Sequence, residues 1–488
     1  MIQFFQKLMA CYKITLSSFV MMTIMVTLQG CGGPPLKPWH TEKLTEEFTE
    51  DKAEVVKSFD DYLQLESRLF KQLDEKVYQQ SETGPDYRLN RYSSGSAADP
   101  RKQHPDWNHS FELTANKPRG AVLLLHGMSD SPYSLHTLGK ALNQHNYWVV
   151  GLRMPGHGTA PSGLRYINRD DMAAAVRLGM GHLATKVKNK PVHMIGYSTG
   201  ASLALEYTLD ALEGKTTPVP TSLVLISPAI GVHPAAAMAG FKNWLANLPG
   251  LDGLAYLSVH PEFDPYKYNS FATNASTVVH RVTRSVASRV QARARTNPEV
   301  VLPPILVFKS TVDATVTTEA VVDNLLNHLN PYRHELVLFD INRFAAVKSK
   351  LLIDDPAPLT DRVMGDDTLP FAVTLVTNKN SKTTKAISKY KQPFTAKAIN
   401  NGQLKAVWPP GVVSQSHVSL PISTNDPLYG QRSPENEDFL FLGQMAIQGE
   451  RGLLKIPADW VLRLRYNPFY DFLEKRALEW LDATNEFN

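Results

Sequence analysis

Val192-His193-Met194-Ile195-Gly196-Tyr197-Ser198-Thr199-Gly200, running into the helix-like stretch Ala201 to Leu212, is the part of this 488-residue chain from which the rest can be read. A short apolar run passes through G-x-S-x-G into a helical pattern, so the local sequence is strand, sharp turn, helix. Such a turn forces the serine into a strained backbone conformation. Glycine is needed two residues to either side, because a larger side chain would clash where strand and helix pass closely. The pentapeptide alone is a weak signal, and its place between those two patterns makes it a strong one.

Outward from it, similar apolar runs recur at Val122 to Leu125, Trp148 to Leu152, Leu223 to Ile226, Ile305 to Phe308 and Leu336 to Phe339, separated by longer segments. That alternation predicts a parallel sheet with crossover helices, each run being a strand buried on both faces. Their carboxyl ends carry His126-Gly127, Arg153 to Gly158, Ser198, Ser227-Pro228 and Asp313. Ligands of open α/β sheets bind off those ends, so the chemistry is expected on one rim. A further strand is expected near Ser110 to Thr114, and a closing helix over Pro468 to Ala483.

The composition, 43% hydrophobic and 20% charged, supplies ample core and excludes a disordered or collagenous chain. Net charge is +4, and removing residues 1–30, which hold Lys7 and Lys13 but no acid, leaves +2, so the charge does not point to nucleic acid. Both cysteines, Cys11 and Cys31, lie at the amino terminus, which excludes a disulfide framework or a cysteine-ligated zinc from the body of the chain.

Ile14 to Leu28 is an uncharged, mostly apolar run behind two lysines, the pattern of a secretory signal and shorter than the roughly 20 residues of a spanning helix. It ends in Leu28-Gln29-Gly30-Cys31, which resembles the bacterial lipobox. Residues 1–30 are then a signal peptide, with Met9 an alternative start, and Cys31 becomes an acylated mature terminus held stably by two or more lipid chains. A plain cleaved signal and an uncleaved anchor are the alternatives. Gly32 after the cysteine favours the outer membrane of a bacterial envelope. Residues 31–43 read as a tether, and 44–108 as an amphipathic helix to about Gln80 followed by a loop. That helix packs on the main domain or binds a partner.

A serine hydroxyl needs a base, and the base an orienting carboxylate, expected downstream in the order Ser, Asp, His. Asp313 follows the Ile305 to Phe308 run at a strand end. For the base, His417 in the polar Ser414-Gln415-Ser416-His417-Val418-Ser419 is favoured over His328 and His334, which precede the Leu336 to Phe339 strand. A developing oxyanion needs two preorganised backbone donors, assigned to the amides of Thr199 and Met128. His126 is expected to shape its loop rather than act as a base.

Leu123 to Gly127, Gly156-His157-Gly158, the turn at Ser198, Asp313 and His417 together resemble the α/β-hydrolase family, nearest to bacterial carboxylesterases and monoacylglycerol lipases. The resemblance covers roughly Ser110 to Asn488 and implies a mostly parallel central sheet flanked by helices over residues 109–488. It implies hydrolysis of a small acyl ester or lipid through an acyl-serine on Ser198, with no metal or organic cofactor. Two departures stand out. Asp313 and His417 are 104 positions apart, whereas compact members place the histidine one helix and one strand later, so an insertion is read over 342–404. It holds a possible strand, Phe371 to Thr377, and the basic Lys379, Lys382, Lys385, Lys389 and Lys391. It reads as a solvated elaboration or as a contact for anionic lipid or polysaccharide. The second departure, 231–297, carries Phe241, Trp244, Leu245 and Leu248 at helical spacing and reads as a helical cap, either a lid or a helix completing the core. Arg281, Arg284, Arg289, Arg293 and Arg295 read as its charged face. A peptidase or thioesterase using the same residues, and a catalytically silent envelope binding protein, are the competing functions. Metabolic labelling with a clickable fatty acid tests the anchor: wild type is expected to take up label, and Cys31→Ser none.

Overall fold

In Gly120–Leu125 every residue is buried, as expected of a strand covered on both faces. The computed structural model describes residues 35–231, 252–296, 301–313, 315–345, 356–410, 412–432, 440–443 and 464–485. Cys31 and the apolar positions Phe241, Trp244, Leu245 and Leu248 lie outside them. The strands are β1 (Phe111–Leu113), β2 (Gly120–Leu125), β3 (Tyr147–Leu152), β4 (Val192–Tyr197), β5 (Leu223–Ile226), the pair β6 (Tyr256–Ser258) and β7 (Phe271–Ala272), then β8 (Ile305–Ser310), β9 (His334–Phe339), β10 (Ala372–Asn378), β11 (Lys385–Lys391) and β12 (Ala398–Val407). Among the described residues one sheet has ten strands in the order β1-β3-β2-β4-β5-β8-β9-β10-β11-β12. From β3 through β10 neighbours run parallel, while β1, β11 and β12 pair antiparallel.

Period-two alternation sorts the strand side chains into two layers. Ala121, Leu123, Leu125, Ile305 and Val307 face one cluster, and Val122, Leu124, Leu306 and Phe308 the other. Helices α1 (Phe59–Lys76), α3 (Arg169–Val187), α4 (Thr199–Leu212), α5 (Thr273–Thr296), α6 (Thr318–Asn324) and α7 (Ala357–Gly365) contribute to the first. Helices α2 (Tyr133–Gln144) and α8 (Tyr470–Asn485) cover the second.

The apolar runs became strands, and Pro468 to Ala483 became α8. Two readings need correction, and a third, on 231–297, falls partly outside the described residues. The amino-terminal helix starts at Phe59 rather than near Leu44, because Ser58 and Asp61 form a reciprocal cap, with Asp61 N–H donating to Ser58 Oγ (3.1 Å) and Ser58 N–H to Asp61 Oδ2 (3.0 Å). The described part of 231–297 includes a helix that completes the core: Val278, Val282, Val286 and Val290 of α5 repeat every four residues and are buried. Arg289 on its outer side pairs with Asp210 and Glu213. Finally, 342–404 is not a solvated elaboration throughout. The strand read at Phe371 to Thr377 is β10, wholly buried and parallel to β9, so the segment lengthens the sheet. Lys379, Lys382, Lys385 and Lys389 are exposed, whereas Lys391 is buried and donates to the Asp366 carbonyl.

The amino-terminal segment is bound to the sheet by charge as well as by apolar packing. Arg153, after β3, is 1% exposed and reaches Glu66 of α1 (2.9 Å) and Glu47 (2.9 Å). Glu66 is itself 2% exposed. Removing one member of a buried ion pair leaves the other uncompensated, which costs about 3–5 kcal/mol. Arg153→Met is therefore expected to lose about 3 kcal/mol of unfolding free energy by urea titration, and Arg153→Met/Glu66→Met to recover part of it.

Candidate active site

At the carboxyl end of β4 the chain reverses into α4 within one residue. Ser198 takes φ 54° and ψ −117°, a conformation that costs an L-residue free energy and persists only when the surroundings over-determine it. The flanking glycines show what over-determines it. A Cβ on Gly196 would sit 2.4 Å from Ala201 Cα, and one on Gly200 2.1 Å from the Leu125 carbonyl oxygen. Helix α4 thus passes against the ends of both β4 and β2. Ser198 is partly exposed at the tip while its neighbours are buried, so its hydroxyl faces the rim.

The structure brings Ser198, Asp313 and His417 together. His417 Nε2 is 3.0 Å from Ser198 Oγ, and His417 Nδ1 is 2.7 Å from Asp313 Oδ2. Asp313 follows β8, and its Oδ1 accepts the amides of Thr315 (2.9 Å) and Val316 (3.1 Å). Burial would push this carboxyl up, but His417 and the Lys309 ammonium beside it outweigh that and hold it well below the usual carboxylate range. With Nδ1–H donating to a carboxylate, the Nε2 lone pair is turned to the serine, the orientation a general base requires.

His417 arrives by a long route and is seated by short bonds. After β12 the chain returns along the rim: Asn342, just beyond β9, donates from N–H to Val413 O (2.7 Å) and from Nδ2 to Val412 O (2.8 Å). Ser310 Oγ donates to Gln415 O (3.2 Å), and Ser416 Oγ to Leu464 O (2.6 Å). His334 sits elsewhere. It starts β9, at the end opposite the rim, and its Nδ1 accepts the Ile305 amide (3.2 Å). Burial pulls it down to about 3. His328 ends a turn after α6.

Gly127 lies directly against Ser198, a Cβ there being 3.2 Å from Ser198 Cβ. The N–H groups of Met128 and Thr199 donate to no other described residue. Thr199 begins α4, where the first helical N–H has no intrahelical acceptor. His126 is buried, accepting the Met154 amide at Nε2 (3.0 Å) and bonding the Gly127 carbonyl at Nδ1 (2.9 Å). Burial lowers it well below the usual range, so it stays neutral and props the loop. Sequence reading missed Lys309: it is fully buried in β8 with its Nζ on Asp313 Oδ2 and on Val316 O. A lysine ending an otherwise apolar strand four residues before the acid was the available signal.

Residues 116–341 match the family described as serine aminopeptidase, S33. The matched stretch holds Ser198 and Asp313 and ends before β10, so His417 lies outside it. A thermostable monoacylglycerol lipase of Bacillus sp. (strain H-257) is 28% identical over 216 residues, which is 44% of this chain and 79% of the lipase. Among solved structures, one reported for two metagenome-derived lipolytic enzymes aligns with 48% of this chain and 87% of its own (20% identity, TM-score 0.38). The monoacylglycerol lipase of Paleococcus ferrophilus aligns with 48% and 88% (16% identity, TM-score 0.37). This chain has the α/β-hydrolase fold. The matched stretch holds the parallel strands from β2 to β9 and the serine turn after β4, and β1 and β10 to β12 lie outside it.

Because the atoms that meet a Cβ at Gly200 are backbone, they have no rotamer by which to retreat. Gly200→Ala is expected to cost about 2–3 kcal/mol in urea unfolding and to abolish reaction at Ser198. Gly181→Ala, in α3 with nothing within 4 Å of the added carbon, is expected to stabilise by about 0.5–1 kcal/mol.

Proposed function

We propose that this protein is a serine hydrolase that cleaves carboxylic esters, acting on lipid-like acyl substrates at the bacterial envelope, where an acylated Cys31 would hold it. The single observation that carries the reading is the hydrogen-bonded line Ser198, His417, Asp313, with its 3.0 and 2.7 Å contacts. Ser198 Oγ attacks the ester carbonyl as its proton passes to His417 Nε2. Asp313 stabilises the imidazolium, and the amides of Met128 and Thr199 receive the oxyanion. The imidazolium then protonates the departing alkoxide, leaving an acyl-serine. Water, deprotonated by the same imidazole, releases the acid and restores the hydroxyl.

The relative named as a monoacylglycerol lipase supports the acyl-ester class. The family description, serine aminopeptidase, supports a second reading in which the same residues cleave an amide. A free carboxylate would suit the ammonium of an aminopeptidase substrate, and Asp130, the acid that meets Gly127, is already paired with Lys267 at 2.6 Å, so this acid gives that reading no support.

A fluorophosphonate probe and p-nitrophenyl esters of graded acyl length test the proposal. Labelling and hydrolysis are expected in wild type and in His328→Ala, with a fall of about 10⁴-fold or more in kcat for Ser198→Ala and His417→Ala. Equal labelling of wild type and Ser198→Ala would favour the catalytically silent binding protein, and hydrolysis of aminoacyl amides over esters would favour the peptidase.

A further inference from the structure

Lys309 occupies a position that packing alone does not explain. Its strand neighbours on the same face, Ile305 and Val307, belong to the apolar core, and Lys309 itself is 0% exposed. Burying an ammonium costs several kcal/mol unless it is paired and hydrogen-bonded. Here the Nζ is placed on Asp313 Oδ2, the same oxygen that receives His417 Nδ1, and on the Val316 carbonyl (2.6 Å). With the Thr315 and Val316 amides on Oδ1, the carboxylate takes four donors, two on each oxygen. The cation and the imidazole therefore share one carboxylate oxygen, and the two amides hold the other.

Resting on the serine-hydrolase reading, we propose that Lys309 is a positioning residue that acts through Asp313: it locks the carboxylate and its loop, and its charge tunes the pH dependence of attack by Ser198. The charged or titratable groups around the pair are Asp313 on the loop after β8, Glu319 in the first turn of α6, and His417 on the returning loop. Tyr197 of β4 lies beside the imidazole, its ring 5.4 Å away. Among these groups Lys309 is the cation paired with Asp313, and burial pulls its ammonium below the usual lysine range. A positive charge on the oxygen that receives His417 Nδ1 competes with the imidazolium for the carboxylate, so removing it is expected to shift the pH dependence of attack by Ser198 upward.

The test is the rate of Ser198 labelling by a fluorophosphonate as a function of pH, in the full chain and in variants whose fold is checked by circular dichroism. In Lys309→Met the acidic limb is expected to move up by about one pH unit. Lys309→Gln, which keeps an N–H donor for Asp313 but no charge, is expected to move it in the same direction. Lys391→Met, removing the other buried lysine named above, is expected to lower the melting temperature and leave the limb in place. A limb unmoved in both Lys309 variants, or loss of fold in both, would overturn the proposal by making Lys309 a core residue alone. A wild type that is not labelled, or labelling kept in Ser198→Ala, would instead sink the hydrolase reading.

Discussion

The close approach of α4 to the ends of β2 and β4 is the constraint on which the rest depends. Two glycines allow the backbones to pass at separations no side chain tolerates, and the positive φ of Ser198 is the consequence. Because β2 and β4 are neighbours in the sheet, the same approach puts the loop of Gly127 and Met128 against the serine. Ser198, the loop and the first helical amide are thus one packing solution. The strain stored at Ser198, of order 1–3 kcal/mol, is carried by a core in which both faces of the sheet are covered.

The acid side of the site is built differently. Its carboxylate takes a charge, an imidazole and two amides, and it does so in a region too dry to tolerate any of these groups unpaired. That interdependence is a reason for a lysine to survive inside an apolar strand. It also shows why the histidine tolerates so long a detour. Three strands extend the sheet outward from β9, but the returning chain docks on Ser310 and Asn342, the ends of the two strands beside which a shorter chain would already have placed it. Seating, and not contour length, decides where the imidazole lies.

The amino-terminal segment belongs to the same energetic unit. Glu47 and Glu66 converge on Arg153, and Glu47 also accepts the Gly156 amide (2.8 Å). The rim turn after β3 is therefore held from outside the sheet. Among the described residues no helix is long and apolar enough to cross a membrane.

Sequence alone determined the parallel strands, the serine turn and the strand-end place of Asp313, because each is written in a local pattern: an apolar run, glycines at fixed offsets, an aspartate at a strand end. The helix start at Phe59 was also written locally, in Ser58 and Asp61, but the longer apolar periodicity masked it. What only the tertiary structure decided is whatever depends on pairing between distant segments. The placing of β10 inside the sheet, the docking of the His417 loop, the Arg153 clamp and the burial of Lys309 all join residues far apart in the chain. Their physical cause is shared: a polar or charged group is stable in the interior only where a partner meets it, and the partner is chosen by the fold, not by the neighbouring sequence.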